Sequence, residues 1–245
     1  MQNIYDNETF FESYLSLREN NEGLNDVLEI PAFRSLLPDL QDKVILDIGC
    51  GFGESSKWYA ENGAKKVVGI DISQKMIHKA KEINADKKIE YYNLPMEEIE
   101  FGENEFDLVV SSLSFHYVED FCSLIKKISN VLKPNGLCIF SQEHPVVTAK
   151  KINNGWAKSE TGAKTHWILD NYQEETMRKQ TWFVDGVIKY HRTIATIVNT
   201  LIENHLNIQK ILEPISTSDA EIINPELKEE RRRPPFIILK AMSVK

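Results

Sequence analysis

The chain has 245 residues, 42% hydrophobic and 27% charged, enough to bury one substantial α/β core and too few for two full-sized domains to be the first expectation. Its formal charge of −8 argues against a nucleic-acid partner, because neutralising phosphates requires a basic face. No apolar run approaches the roughly 20 residues of a membrane-spanning helix, and the opening "MQNIYDNETFF" lacks the basic-then-apolar build of a secretory signal; a cytoplasmic location and no membrane contact are expected.

The first 40 residues carry "FFESYLSLR" in helical spacing, with Pro31 and Pro38 read as breaks, and form a helical lead-in. Three apolar runs follow, "KVILDI" (43–48), "KKVVGID" (65–71) and "FDLVVSS" (106–112). None alternates as a half-exposed strand would, so all three read as strands covered on both faces. Between the last two, residues 73–84 read as a helix with Ser73 as N-cap and Met76, Ile77, Ala80 and Ile83 on its inner face. Residues 118–132 repeat apolar positions at three and four, and Pro134-Asn135-Gly136 stops that helix just before a fourth strand-like run, "LCIFS" (137–141). Strand-helix alternation of this kind predicts right-handed crossovers and a parallel, doubly wound sheet.

After residue 142 the rhythm changes. Residues 143–181 are polar and aperiodic, and "WFVDGVIKY" then reads as a hairpin whose two-residue turn is Asp185-Gly186. A helix is expected at about 193–205, then strands in "NIQKILEP" and "PFIILKAM". The expected organisation is one domain over residues 1–245: lead-in 1–40, ligand-binding half 41–142, insertion 143–192 and closing helix and strands 193–245. An insertion at that place lies over the carboxyl ends of the strands, where open α/β sheets bind ligands, and is a lid candidate. Cys50, Cys122 and Cys138 are odd in number and lack CxxC spacing, so they read as reduced structural thiols. Arg231-Arg232-Arg233, preceded by Glu229-Glu230, reads as a solvated turn in preference to a phosphate site.

The chemistry concentrates in "VILDIGCGFGES" (44–55). Glycines after a buried strand allow a sharp turn and close backbone approach to a ligand, and the next helix points its first N–H groups there. A dinucleotide fingerprint needs glycine at the sixth position of GxGxxG. Glu54 stands there and would repel a pyrophosphate. Asp47, two residues before the first glycine, suits a cation, and Asp71, ending the second strand, suits a ribose diol. A ligand combining adenosine, a carboxylate and a positive charge is S-adenosylmethionine.

In this light "VILDIGCGFGES", "VVGIDIS", "YYNLPMEEIEF" and "FDLVVSSLSFHYVED" resemble the successive motifs of class I S-adenosylmethionine-dependent methyltransferases of the small-molecule type, over about residues 40–142. The insertion, with "EHP", "KYHRT" and "ERRRPPFIIL", resembles a bacterial subgroup of them. The resemblance implies a doubly wound, mostly parallel seven-stranded α/β sheet, the Rossmann-like methyltransferase fold, with a lid insertion after the fifth strand. It implies S-adenosyl-L-methionine as cofactor and S-adenosyl-L-homocysteine as product. The backbone of Gly49, Cys50 and Gly51 is expected along the methionine portion and ribose, with Asp47 near the ammonium. Asp71 would hold the ribose hydroxyls, and Ile72 would pack on adenine. Pro95 stands where the family often has an acid, so Met96 and Glu97 are expected at the adenine edge. Ser112 and Leu113 leave the strand beneath the cofactor, where a carbonyl commonly accepts from the ammonium. Tyr14 and Arg18, one helical turn apart, either form a partly buried surface pair or close over the cofactor carboxylate.

The methyl acceptor has no such signature. His116 and Tyr117, then Glu143, His144 and Pro145, then Tyr190, His191 and Arg192 are expected to converge above the cofactor. His116, His144, His191 and Tyr190 are the candidate catalytic groups, since a neutral imidazole can take a proton near neutral pH. With no short pair such as HxxxH, no metal is expected. Trp156, Trp167, Tyr172 and Trp182 either line an aromatic pocket or simply pack the insertion. The expected activity is methyl transfer to a small molecule by in-line displacement, in a monomer or homodimer. The rivals are an NAD(P)-dependent oxidoreductase and a non-catalytic S-adenosylmethionine-binding protein.

Overall fold

The structure is a computed structural model describing residues 2–19, 23–151 and 155–245. Small parts of the lead-in (residues 1 and 20–22) and of the insertion (152–154) lie outside the described residues. The chain opens with α1 (Glu8–Glu19) and α2 (Ile30–Ser35). It then alternates β1 (Val44–Ile48), α3 (Glu54–Glu61), β2 (Lys66–Asp71), α4 (Gln74–Ile83), β3 (Ile89–Asn93) and β4 (Phe106–Ser111). After α5 (Phe121–Val131) and β5 (Leu132–Glu143) come α6 (Pro145–Thr148) and four short strands, β6 (Trp156–Lys158), β7 (Lys164–Trp167), β8 (Met177–Trp182) and β9 (Val184–Tyr190). The chain closes with α7 (Ile194–Glu203), β10 (Leu206–Leu212), α8 (Ser218–Ile223) and β11 (Phe236–Ser243).

Seven strands form one sheet in the order β10-β11-β5-β4-β1-β2-β3. From β3 to β5 neighbours are parallel, whereas β11 runs antiparallel to both β5 and β10. The unbroken apolar runs have the expected cause. Leu46, Ile48, Val109, Cys138 and Phe140 face one core with Phe121, Leu124, Ile125, Ile197 and Leu201 of α5 and α7. Their neighbours Ile45, Leu108, Val110 and Ile139 face the other with Phe33 and Leu36 of the lead-in and Tyr59 and Ala60 of α3. With both faces covered, alternate residues are equally apolar. Strand order reverses between β1 and β4, the switch point at which such sheets open a crevice beyond their carboxyl ends.

Several expectations shift. β3 carried no apolar run because it is an edge strand on which only Tyr91 is buried. Pro31 breaks nothing: it sits in the first turn of α2, continuous with a π-helical turn over Asn25–Glu29, where a missing N–H is tolerated. α5 begins at Phe121, capped by Asp120, after a separate 3-10 turn at Phe115–Tyr117, and it ends at Val131 because Leu132 already pairs with Phe106. The β8–β9 hairpin turns at Phe183, with φ of 57°, and Trp182 pairs with Val184. Asp185 and Gly186 therefore lie inside β9. The tighter turn lets the Trp182 and Phe183 rings pack edge-on against Phe10 of α1 at 5.3 and 5.5 Å, a tertiary gain no local turn rule contains.

Two arginine side chains tie the aperiodic insertion together. Arg178, 1% exposed, donates to the carbonyls of Ala149 (3.0 Å), Glu174 (2.7 Å) and Thr176 (3.1 Å). The Ala149 and Glu174 carbonyls take their donor from the guanidinium, which supplies several N–H groups in one plane, while the Thr176 carbonyl also accepts from the His191 N–H. Arg232 similarly ties β7 down by donating to the Lys164 and Thr165 carbonyls.

Candidate functional site

A cavity of about 450 Å³ opens at the β1/β4 switch point. Its floor is the glycine turn after β1. Gly49 has φ of 71°, and a Cβ there would come within 2.7 Å of the Ser114 Cβ, so only glycine lets the turns after β1 and β4 close together. Gly53 (φ 78°) caps α3, and a Cβ on it would run into the Tyr91 hydroxyl. Gly51 faces open space, which leaves its backbone bare toward the cavity.

Two carboxyls meet at this floor. Asp47 is buried, accepts from Ser56 Oγ at 2.6 Å, and is pushed up to about 7 by burial. Asp71 accepts from the Gly51 N–H (3.0 Å) on one oxygen and the Ser73 N–H (2.8 Å) on the other, and burial lifts it to about 6. Each Asp71 oxygen keeps a lone pair for another donor. Neither acid has a cationic side-chain partner among the described residues. Ile72, Met76, Leu94 and Met96 give an apolar wall beside Asp71, with Glu97 at its rim.

The opposite wall comes from the lead-in. Tyr14 and Arg18 line the cavity. Arg18 is held between Asp26 (3.0 Å) and Glu54 (2.5 Å), so Glu54, at the start of α3, serves a cation. Beneath, Ser112 and Leu113 leave β4, and Leu113 is left-handed at φ 51°, a strained conformation for a bulky residue. All twelve residues expected at the cofactor therefore line one cavity: Tyr14, Arg18, Asp47, Gly49, Cys50, Gly51, Asp71, Ile72, Met96, Glu97, Ser112 and Leu113.

The expected catalytic set divides. His116 lines the cavity and is buried. The Glu143 N–H points at its Nδ1 (3.4 Å), which leaves Nε2 carrying the ring proton. Burial, then Lys189 and Arg192, push it down to about 3, which favours the neutral ring. The other three do not line the cavity. His144 caps α6, with Nδ1 accepting from Val146 N–H and Nε2 donating to Glu213 (3.0 Å). His191 donates from Nε2 to the Tyr172 carbonyl (2.9 Å) and accepts at Nδ1 from Thr148 Oγ1 (2.8 Å). Burial first of all lowers both. With both nitrogens occupied, each ring is a structural pin. Tyr190 donates to Glu119 at the surface (3.1 Å).

The end of the cavity around His116 is built by residues from distant segments. Glu143, at the end of β5, pairs with the nearly buried Lys189 of β9 at 2.6 Å. Burial opposes both charges, yet each partner more than offsets it, holding Lys189 above and Glu143 below their usual ranges. Tyr5 donates to the Tyr117 hydroxyl (3.2 Å), and both residues line the cavity with Trp182, Arg233 and Phe236. Phe236 arrives there because it pairs with Glu143 across the β5–β11 ladder, a juxtaposition without a local signal. Of the four insertion aromatics only Trp182 reaches the cavity; Trp156 and Trp167 pack edge-on against each other at 5.3 Å, and Tyr172 accepts from the Ile194 N–H. Arg231, Arg232 and Arg233 pair with Glu221, Glu229 and Glu230, yet Arg233, at the cavity wall, keeps Nε and Nη1 without a hydrogen bond, so the run is not simply the solvated turn expected.

Comparison with known proteins agrees with this geometry. The family model for the methyltransferase domain matches residues 46–140. An S-adenosylmethionine-dependent methyltransferase from Mesorhizobium loti superimposes with a TM-score of 0.83 at 38% identity, covering 90% of this chain and 100% of that one. A Listeria monocytogenes structure assigned to the same class gives a TM-score of 0.82 at 38% identity, covering 89% and 98%. An uncharacterized protein of Haemophilus influenzae is 40% identical over 98% of this chain and 97% of its own.

Proposed function

The chain belongs to the class I S-adenosylmethionine-dependent methyltransferases, and from that premise we propose that it methylates a small molecule held between the cofactor edge, α1 and the β8–β9 hairpin. The observation carrying the cofactor assignment to residues is the pair of buried acids, Asp47 and Asp71, facing one cavity over a bare glycine turn, neither paired with a cationic side chain among the described residues. A ligand bringing its own positive charge and a vicinal diol satisfies both. Asp71 would take the ribose hydroxyls, the Ile72–Met96 wall the adenine, and Asp47 with the Leu113 turn the ammonium.

When bound, the cofactor supplies an electrophilic methyl group on a sulfonium. What the protein adds is alignment and exclusion of water. Positioning an acceptor lone pair behind the sulfur-methyl bond can contribute roughly 7–11 kcal/mol. Tyr5, Tyr14, Tyr117 and Trp182 wall that space. Burial above all keeps Tyr14 and Tyr117 protonated. His116 Nε2–H would orient an oxygen or nitrogen of the acceptor, and Glu143, ionised against Lys189, would receive a hydrogen bond from it.

A small-molecule acceptor is supported by the walls of this cavity, which come from the lead-in, the hairpin and the β11 end together, and by the net charge of −8. Incubation with methyl-tritiated S-adenosylmethionine and a bacterial lysate tests it. Label is expected in the low-mass ultrafiltrate; label retained on protein or RNA would overturn the assignment.

A further inference from the structure

The π-helical turn Asn25–Glu29 leads directly into α2, and π turns recur at functional sites. The turn ends at Glu29, fully buried. Its Oε1 accepts from Ser112 Oγ at 2.9 Å and Ser141 Oγ at 2.5 Å. Ser141 in turn accepts from the Leu113 N–H, at 3.0 Å on Oγ and 3.1 Å on the carbonyl. On the other side, the Asn25 amide, oriented so that both its ends are satisfied, donates to Glu29 Oε2 (2.7 Å) and accepts from Arg18 Nη1 (2.9 Å). A continuous chain of hydrogen bonds thus runs from Arg18 through Asn25, Glu29 and Ser141 to the Leu113 amide, and both of its ends line the cavity.

We propose that Glu29 is a positioning residue that holds Arg18 and the left-handed Leu113 turn at a fixed spacing, and so sets the recognition of the zwitterionic amino-acid end of the cofactor. The proposal rests on the cofactor placement given above. Three features carry it. Leu113 is in a conformation that persists only where surrounding bonds over-determine it, and the Ser141 oxygens supply two of those bonds. Arg18 is a flexible side chain whose guanidinium is fixed by Asp26, Glu54 and Asn25, and the last of these contacts leads to Glu29. Finally, Glu29 joins the lead-in to the ends of β4 and β5, so the two walls bracketing the amino-acid end share one carboxyl. Glu29 touches neither acceptor nor methyl group; its effect passes through Arg18 and Leu113. In the sequence its only mark is an acid inside the apolar stretch "VLEIPAF".

The test compares two cofactor fragments by calorimetric titration of the full chain. S-adenosylhomocysteine carries the amino-acid end, whereas 5′-methylthioadenosine shares the adenosine and thioether and lacks it. In Glu29→Ala, S-adenosylhomocysteine affinity is expected to fall at least tenfold while methylthioadenosine affinity stays within threefold. Glu29→Gln keeps an acceptor oxygen for both serines and disturbs only the Asn25 link, so its loss should be smaller, about threefold. Ser141→Ala keeps every lead-in side chain and removes the hydroxyl that links Glu29 to the Leu113 N–H, leaving that N–H only the residue 141 carbonyl; it should weaken S-adenosylhomocysteine alone, which keeps the test decisive if Glu29→Ala fails to fold. Equal weakening of both ligands, no change in either, or an unaltered Ser141→Ala would overturn the proposal. Failure of the unaltered protein to bind either fragment would instead refute the cofactor placement itself.

Discussion

The two halves of the cavity are held together by different physics. The cofactor half hangs from a parallel sheet whose strands are buried on both faces, and its functional groups sit within a few residues of strand ends: Asp47 and Gly49 after β1, Asp71 and Ile72 after β2, Ser112 and Leu113 after β4. The other half, where we propose the acceptor sits, depends on single polar side chains reaching across long stretches of chain. Arg178 reaches the Ala149 carbonyl, Lys189 reaches Glu143, and Arg192 donates to the Val118 and Glu119 carbonyls. A ladder distributes its hydrogen bonds over many residues, whereas a hub concentrates them in one. The first tolerates local change; the second fails as a unit.

Arg178→Met should produce the largest effect. The Ala149 and Glu174 carbonyls lose their donor at ~1 kcal/mol or more each, so stability should drop on the order of 2 kcal/mol. Urea unfolding measures the loss, and hydrogen exchange should place it in residues 145–190 with the parallel strands protected. A loss spread evenly over the sheet would show that the halves are not separate in this sense.

In the cofactor half the sharpest change is in binding. Asp71→Ala should weaken S-adenosylhomocysteine by tenfold or more in calorimetry, about 1.4 kcal/mol at least. An unaltered affinity would remove Asp71 from the ribose site.

Trp182→Ala probes the seam, because its ring contacts Phe10 and Tyr14 edge-on at 5.3 and 6.0 Å. Loosening α1 through this contact should weaken S-adenosylhomocysteine about threefold, ~0.6 kcal/mol, and speed hydrogen exchange over residues 8–19. If exchange rises only in the hairpin, the two halves are uncoupled there.

The mildest effect expected is a pH response of opposite sign in the two regions. Burial above all lifts Glu29 and Asp47 to about 7 and Asp71 to about 6. Acids raised above their unfolded values contribute stability that is complete below those values and lost as pH rises through the folded values. Burial pushes His116 down to about 3 and lowers His144 and His191. Their contribution is complete above the unfolded value of about 6.5 and lost as pH falls beneath it. Moving from about pH 7.5 to about pH 5.5 should therefore tighten the floor around β1 and β2 and loosen the segments around α6 and His191, read as exchange protection corrected for intrinsic rates. Changes of the same sign in both would contradict these burials.

Legibility in the sequence follows the same division. "VILDIGCGFGES" carried its fold and its ligand together, since each requirement, a buried strand, a left-handed turn and a carboxyl at the strand end, is met within twelve contiguous residues. The same holds for "VVGIDIS", and the six expected cofactor residues in these two motifs, Asp47, Gly49, Cys50, Gly51, Asp71 and Ile72, line one cavity. Of the candidate histidines only His116 lines the cavity, and residue type says nothing about which nitrogens are already bonded: His144 meets Glu213 and Val146, and His191 meets Thr148 and Tyr172. Tyr5, Glu29, Lys189 and Arg233 lay too far from the motifs to be assigned to the site at all.

What the sequence determined by itself was the parallel strands, the turn between β1 and α3, and the methyl donor, because periodicity, glycine conformation and short acid-to-glycine spacing are local properties of the chain. What only the tertiary structure decided was the wall opposite the donor. Its residues are joined by the β5–β11 register and by side chains bonding backbone across the insertion. Such contacts have no period and no fixed spacing, and they come into being only when separated segments pack.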